Sequence, residues 1–297
     1  MTVISQANTT HDPLLKLVTA FTLQPRDQEF SASETNFVHG LLQPKTVVFL
    51  AFPIKCGGTF LREVLARCLS RLHGGTPVQL LRGTFMGTGD GERDLYLPNL
   101  LAHFAQASNA PAILHNHTTA TLSNQLLVNL FALRPVVMER SISDMLRSRY
   151  DVAMKSGKMG GHGSAFAEEE TFFQLDEEQQ KDFLIRNVAP WYVKFYASWW
   201  MAEQRGQLDS IHWVRFDDFR EDCASVVEGV LEHVGLELDR ANIDASIQEA
   251  MALREKLRFN KGVSGRGQEF FSERQLEDLK ALTATYSQMD FEARGLL

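Results

Sequence analysis

TVVFLAFPIKCGGTF, residues 46 to 60, joins an apolar strand to a helix through a glycine turn. Thr46 to Phe52 is a short, β-branched run of the kind buried on both faces of a parallel sheet, and Pro53 ends it. From Thr59 onward Phe60, Leu61, Val64, Leu65, Cys68, Leu69 and Leu72 recur at helical spacing, with Arg62, Glu63, Arg67 and Arg71 opposite. Between the two elements lies FPIKCGGTF, Phe52 to Phe60. Backbone N–H groups in such a turn, followed by the positive end of a helix dipole, make an anion cradle. Lys55 adds a full charge and Thr59 a hydroxyl donor. In the Walker loop the lysine follows the glycines, whereas here Lys55 precedes Gly57 and Gly58. On these residues alone the turn reads either as an anion cradle or as a plain strand-to-helix connection with a surface lysine.

The alternation continues along the chain. Ala112 to His117 (AILHNH) is a strand, Ser123 to Leu133 a helix, and Pro135 to Arg140 (PVVMER) a strand. A helix runs through Met145 to Tyr150, a long helix lies within Glu177 to Glu203, Ile211 to Phe216 (IHWVRF) is a strand, and helices follow to the end. Strands separated by helices predict a single α/β domain over residues 45–297, a central parallel β-sheet flanked by helices with a P-loop-like turn. Residues 1–44 read as a variable lead-in with one short helix around Leu14 to Phe21. KSGKMGGHGSA, Lys155 to Ala165, is either a lid over a site or an ordinary surface loop. Trp191, Tyr192, Phe195, Tyr196, Trp199 and Trp200 sit at helical spacing and read as core, and the acidic run Glu168 to Glu170 as solvated surface.

Composition bounds the function. The chain has 297 residues, 44% of them hydrophobic and 23% charged, which suits a globular enzyme-sized domain and not a disordered or fibrous chain. Its apolar runs fall well short of the roughly 20 residues that cross a bilayer. No Lys or Arg precedes Lys16 and no long apolar segment follows, so no signal peptide is expected and the expected location is cytoplasmic. Three scattered cysteines, Cys56, Cys68 and Cys223, fit reduced thiols. A net charge of −7, from 37 acidic and 30 basic residues, gives no support to a nucleic-acid interface but leaves room for an anionic small molecule.

The order of these features resembles the cytosolic sulfotransferase family, whose phosphosulfate loop runs Tyr-Pro-Lys-Ser-Gly-Thr-Thr-Trp. Aligned on Lys55, this chain inserts Ile54 before the lysine, carries Cys56 and Gly58 in place of Ser and Thr, and ends on Phe60 in place of Trp. The resemblance implies that Lys55, Cys56, Gly57, Gly58 and Thr59 hold the phosphosulfate of 3′-phosphoadenosine-5′-phosphosulfate (PAPS), with Phe60 stacking on adenine and adenosine 3′,5′-bisphosphate (PAP) as product. PVVMERSISDMLRSRYD, Pro135 to Asp151, resembles the family's 3′-phosphate segment, with Arg140, Asp144 and Ser148 in the matching places. An Arg at a strand's end gives a bidentate grip on a terminal phosphate, and a helix Ser adds a donor. Phe216 to Asp222 resembles Tyr-Glu-Asp-Met-Lys-Glu-Asp, with Phe216 lacking the phenol. Asn260-Lys261-Gly262-Val263-Ser264-Gly265, with Phe271 beyond, matches Arg-Lys-Gly-x-x-Gly. The resemblance implies that Phe216, Lys261 and Gly262 contact the nucleotide, with Arg258 or Arg266 offered in place of the arginine lost at Asn260.

His115 and His117 lie two apart near the end of one predicted strand, so both are expected on the same side, at the sheet edge where ligands bind. In the family a Lys-Thr-His stretch stands here. The resemblance makes His117 the general base for an acceptor hydroxyl, puts His115 at the lysine's place, and has Lys55 stabilise the departing phosphate oxygen. A His near neutral pKa suits that task. On the residues alone, either His is also a hydrogen-bonded core residue, or the pair opens a zinc site. No third ligand stands at metal spacing, so no metal is expected. The expected function is sulfuryl transfer from PAPS to a hydroxyl of a small molecule, glycan or lipid. The alternatives are a small-molecule kinase using ATP and a non-catalytic PAPS- or PAP-binding module. Acceptor identity and oligomeric state are not encoded in any motif found.

Overall fold

A computed structural model describes residues 45–81, 94–104, 110–158, 169–253 and 263–297. The expected helix near Leu14, most of the Gly-rich loop after Lys158, Glu168, and the set Arg258, Asn260, Lys261 and Gly262 lie outside the described residues.

In chain order the elements are β1 (Val47–Ala51), α1 (Gly58–Leu72), β2 (Gln79–Leu81), α2 (Leu97–Phe104), β3 (Ala112–Asn116), α3 (Leu122–Leu130) and β4 (Pro135–Glu139). There follow α4 (Ile142–Ser156), α5 (Glu169–Gln174), α6 (Glu177–Phe183), a π turn (Leu184–Val188), α7 (Ala189–Gln204) and β5 (His212–Arg215). The chain continues through α8 (Phe216–Glu221), α9 (Cys223–His233), α10 (Arg240–Met251), α11 (Arg266–Phe270) and α12 (Glu273–Thr283).

The five strands form one all-parallel sheet in the order β2-β3-β1-β4-β5. Val48, Phe49, Leu50, Ala51 and Phe52 have no exposed surface, as a central parallel strand covered on both faces requires. Leu50 pairs with His115 of β3 on one side and Val136 of β4 on the other. The turn after β1 therefore opens between the C-terminal ends of β3 and β4, where the strand order reverses and open α/β sheets place ligands.

Several boundaries differ from the sequence expectation. β3 stops at Asn116, so His117 follows the strand instead of belonging to it. The long helix between Glu177 and Glu203 is three pieces, with the wider π turn directly before Pro190 at the start of α7. Proline has no N–H to donate, so a regular helix through this point would lose a bond. β5 stops at Arg215, because Asp217 and Asp218 favour a helix start and α8 begins at Phe216. α3 is capped by the Thr121 hydroxyl and ends at Leu130, with Ala132 turning to φ 47. β2, three residues at the sheet edge, was too short to show as a period. Among the described residues no helix is long and apolar enough to cross a membrane.

Candidate active site

The turn after β1 is built by close packing. Lys55, Gly57 and Thr59 are half-buried, whereas Cys56, Gly58 and Phe60 turn inward. Gly57 has φ 95, and a Cβ there would come within 2.8 Å of the Phe216 ring. A Cβ on Gly58 would run into the Phe52 ring and sit 3.1 Å from His115 Nε2. Both glycines are thus demanded by neighbouring rings, and Gly57 by the turn as well. Gly57 supplies no capping side chain to α1, and the first turn holds no acidic residue, so that helix start presents N–H groups to an anion. Burial pushes the Cys56 thiol up to about 12 against the influence of the Gly58 N–H, Arg140 and Lys55. Cys56 is a packing residue here, not a thiolate. Phe60 packs beside Phe219, ring centres 6.0 Å apart.

Lys55 adopts φ 70, a left-handed conformation that costs a side-chain-bearing residue roughly 1–2 kcal/mol. Two bonds hold it. The Tyr192 hydroxyl donates to Ile54 O at 3.1 Å, and Arg140 Nη1 donates to Lys55 O at 2.8 Å. Arg140, just past β4, is buried, lies with its guanidinium 4.1 Å over the Phe216 ring, and donates from Nη2 to Val263 O at 3.3 Å. Burial draws its pKa down and Asp144 opposes this, so the group remains a cation. Arg140 Nε is buried with no hydrogen-bond partner among the described residues.

Asp144, one turn into α4, accepts from Gly265 N at 2.9 Å and Gly267 N at 2.7 Å. A Cβ at Gly267 would collide with the backbone of Ser143 and Asp144, so α11 sits directly on α4 only because that residue is glycine. This clamp fixes the segment that follows Lys261 and Gly262. Ser148 lies one turn beyond Asp144, buried. Arg266, offered as a stand-in for the arginine missing at Asn260, is paired with Asp151 at 2.6 Å. A cavity of about 200 Å³ opens beside Arg140, bordered by Ser141, Arg215, Phe216, Ser264 and Arg294, while neither Lys55 nor His117 borders it.

On the β3 side, His117 Nδ1 lies 2.7 Å from Phe52 O. A carbonyl oxygen only accepts, so Nδ1 carries the proton of this bond. The rings of Phe52, His115 and His117 follow one another edge to face, with centres 5.7 Å and 5.8 Å apart. The expectation that the two histidines face the same region therefore survives the shorter strand. Among the described residues no group of three or more His, Cys, Asp or Glu is placed to hold a metal.

A model of the sulfotransferase domain matches residues 45–282. The chain belongs to the sulfotransferase family. Mouse sulfotransferase SULT7A1, solved complexed with PAP, is similar at TM-score 0.56 and 12% identity, over 89% of this chain and 92% of that one, which shows a shared fold. Retinol dehydratase, solved with androsterone and inactive cofactor PAP, aligns at TM-score 0.47 and 11% identity over 85% of this chain and 84% of that one. A sulfotransferase from Alicyclobacillus acidocaldarius aligns at TM-score 0.45 and 12% identity over 85% and 99%. No curated protein sequence matches.

In this sulfotransferase the aromatic helix α7 does more than fill the core. Its Tyr192 reaches Ile54 O; its Tyr196 hydroxyl accepts from Arg140 N at 3.1 Å and donates to Met138 O at 3.2 Å. Further along, Trp199 Nε1 donates to Thr118 O at 2.9 Å and Ser198 Oγ accepts from Ala120 N at 3.0 Å. One helix thus ties the lysine turn, the arginine strand end and the histidine loop by their backbones. These bonds, with the close approach at Gly267, are what a motif reading of a sulfotransferase misses. A signal was present, because buried Tyr and Trp carry polar tips that must find partners.

Proposed function

We propose that this sulfotransferase moves the sulfuryl group of PAPS to an acceptor hydroxyl, with His117 as general base and Lys55 as the cation beside the departing phosphate oxygen. The observation that carries this reading is the His117 Nδ1 to Phe52 O bond, which orients the imidazole on the same sheet edge as the lysine turn. The donor set suits an anionic nucleotide: a glycine turn whose Cβ positions are already filled by rings, a helix start without its own acceptor, and a buried guanidinium nitrogen still lacking a partner among the described residues.

PAPS, when bound, supplies an activated sulfuryl group on a good leaving group. His117 Nε2 takes the proton from the acceptor oxygen as that oxygen forms its bond to sulfur. Lys55 and the turn amides place positive charge where the phosphate gains negative charge, a preorganised arrangement that costs no rearrangement during reaction. Arg140, Ser148, Lys261 and Gly262 hold the 3′-phosphate, Phe216, whose ring lies under the Arg140 guanidinium, contacts the nucleotide, and Phe60 stacks on the adenine. His115 lines the space between the turn and His117. The acceptor is a hydroxyl of a small molecule, glycan or lipid, and the enzyme works in the cytoplasm.

The test is calorimetric titration without metal, comparing adenosine 3′,5′-bisphosphate, adenosine 5′-phosphate and ATP. Preference for the bisphosphate by about tenfold or more, roughly 1.4 kcal/mol, is expected. Tighter, magnesium-dependent binding of ATP would replace this reading with a kinase.

A further inference from the structure

Lys55 differs from an ordinary loop lysine in how its backbone is held. The two peptide planes that meet at its Cα are each gripped by a separate side chain: the plane carrying Ile54 O by Tyr192, and the plane carrying Lys55 O by Arg140. Peptide units are rigid, so pinning both planes sets φ and ψ and thereby the direction in which the lysine side chain leaves the chain. Ile54 is also the residue by which this turn exceeds the sulfotransferase pattern, and Lys55 directly after it is the residue forced to φ 70. The grip of Tyr192 falls on the inserted residue itself.

Tyr192 is in turn held from behind. It has no exposed surface, and the buried Arg149 guanidinium of α4 acts on its hydroxyl against the effect of burial. Its one O–H proton is donated to Ile54 O at 3.1 Å. Burial pushes this phenol up to about 12, so it stays a donor across the working pH range. We infer that Tyr192, backed by Arg149, is a positioning residue that aims Lys55 at the donor's 5′-phosphosulfate in a turn lengthened by one residue. The inference rests on the proposed PAPS reading for what Lys55 faces, and on the geometry alone for how Lys55 is held.

The experiment uses Tyr192→Phe, which keeps the ring and removes the hydroxyl. Affinities for adenosine 3′,5′-bisphosphate and adenosine 3′-phosphate are measured by calorimetry in the parent and variant proteins. The variant is expected to lose about fivefold to tenfold for the bisphosphate and to hold the 3′-phosphate within about twofold, because only the 5′ contact is misaimed. A sulfuryl-transfer assay should show reduced kcat with acceptor KM unchanged. A parallel fall for both ligands, or no change for either, overturns the positioning role while the parent's preference for bisphosphate still stands. A parent protein with no such preference overturns the cofactor reading instead. If Tyr192→Phe does not melt cooperatively, Arg149→Met reads the same ratio, with a selective loss of at least about twofold expected and an unchanged ratio counting against the inference.

Discussion

His117 and Phe52 meet through a 2.7 Å hydrogen bond from imidazole Nδ1 to the main-chain carbonyl at the end of the central strand. The imidazole is therefore oriented by the same segment that begins the lysine turn, and the proton on Nδ1 is held by a group that cannot titrate. His117→Ala removes the proton acceptor without touching a nucleotide contact. Turnover should fall about 100-fold or more, with bisphosphate affinity little changed. Turnover equal to that of the parent would remove His117 from the mechanism.

Arg140 holds Lys55 O and Val263 O while its buried Nε has no hydrogen-bond partner among the described residues, and the proposed function gives it the 3′-phosphate as well. Arg140→Ala should weaken bisphosphate binding by about tenfold or more, and adenosine 5′-phosphate binding by clearly less. Equal losses for the two nucleotides would mean that the arginine acts only as a brace for the turn.

Gly58 sits inside α1, where alanine is normally the better helix former. Here Gly58→Ala should instead destabilise by about 1–3 kcal/mol, because its methyl meets the rings of Phe52 and His115. Thermal melts check this, and a raised midpoint would show that the rings have room to move.

Asp151 predicts an acid-labile contact. Burial raises its pKa, but the hydrogen bond and charge of Arg266, joined by Arg147, outweigh this and hold the carboxyl below its ordinary value. A depressed folded pKa means stability that is complete above the ordinary aspartate range, about pH 4, and lost as pH falls through the lowered value. Asp151→Asn should therefore lower the melting temperature at neutral pH and narrow the gap to the parent in acid. A gap independent of pH would count against the ion pair.

Much of this arrangement was legible in the linear chain, and the parts that were not share a cause. The run Val47 to Ala51, the turn around Lys55 and the segment from Pro135 to Tyr150 announced themselves because their elements are local and strongly patterned. His117 was expected as the last residue of its strand, and β3 ends one residue earlier. What did not show were partnerships across long stretches of chain: Tyr192 with Ile54, Tyr196 with Arg140, Asp144 with Gly265 and Gly267. A helical period of aromatic residues looks the same whether the polar tips meet loops or nothing, so the core reading of α7 captured its burial and not its bonds. The break before Pro190 was obscured for a similar reason, since apolar spacing continues through the π turn almost undisturbed.

α7 also behaves as a ruler. Tyr192 and Trp199 are seven residues apart, about 10 Å along a helix, and their two bonds set the turn carrying Lys55 against the loop carrying His117. A helix cannot lengthen by degrees, because each added residue swings the next side chain by about 100° and would unhook every tie beyond it. The gap between the lysine turn and the histidine loop is thus quantised by one element. Segments away from that rule are free to diversify, so such a scaffold changes what it modifies far more easily than where the modification takes place.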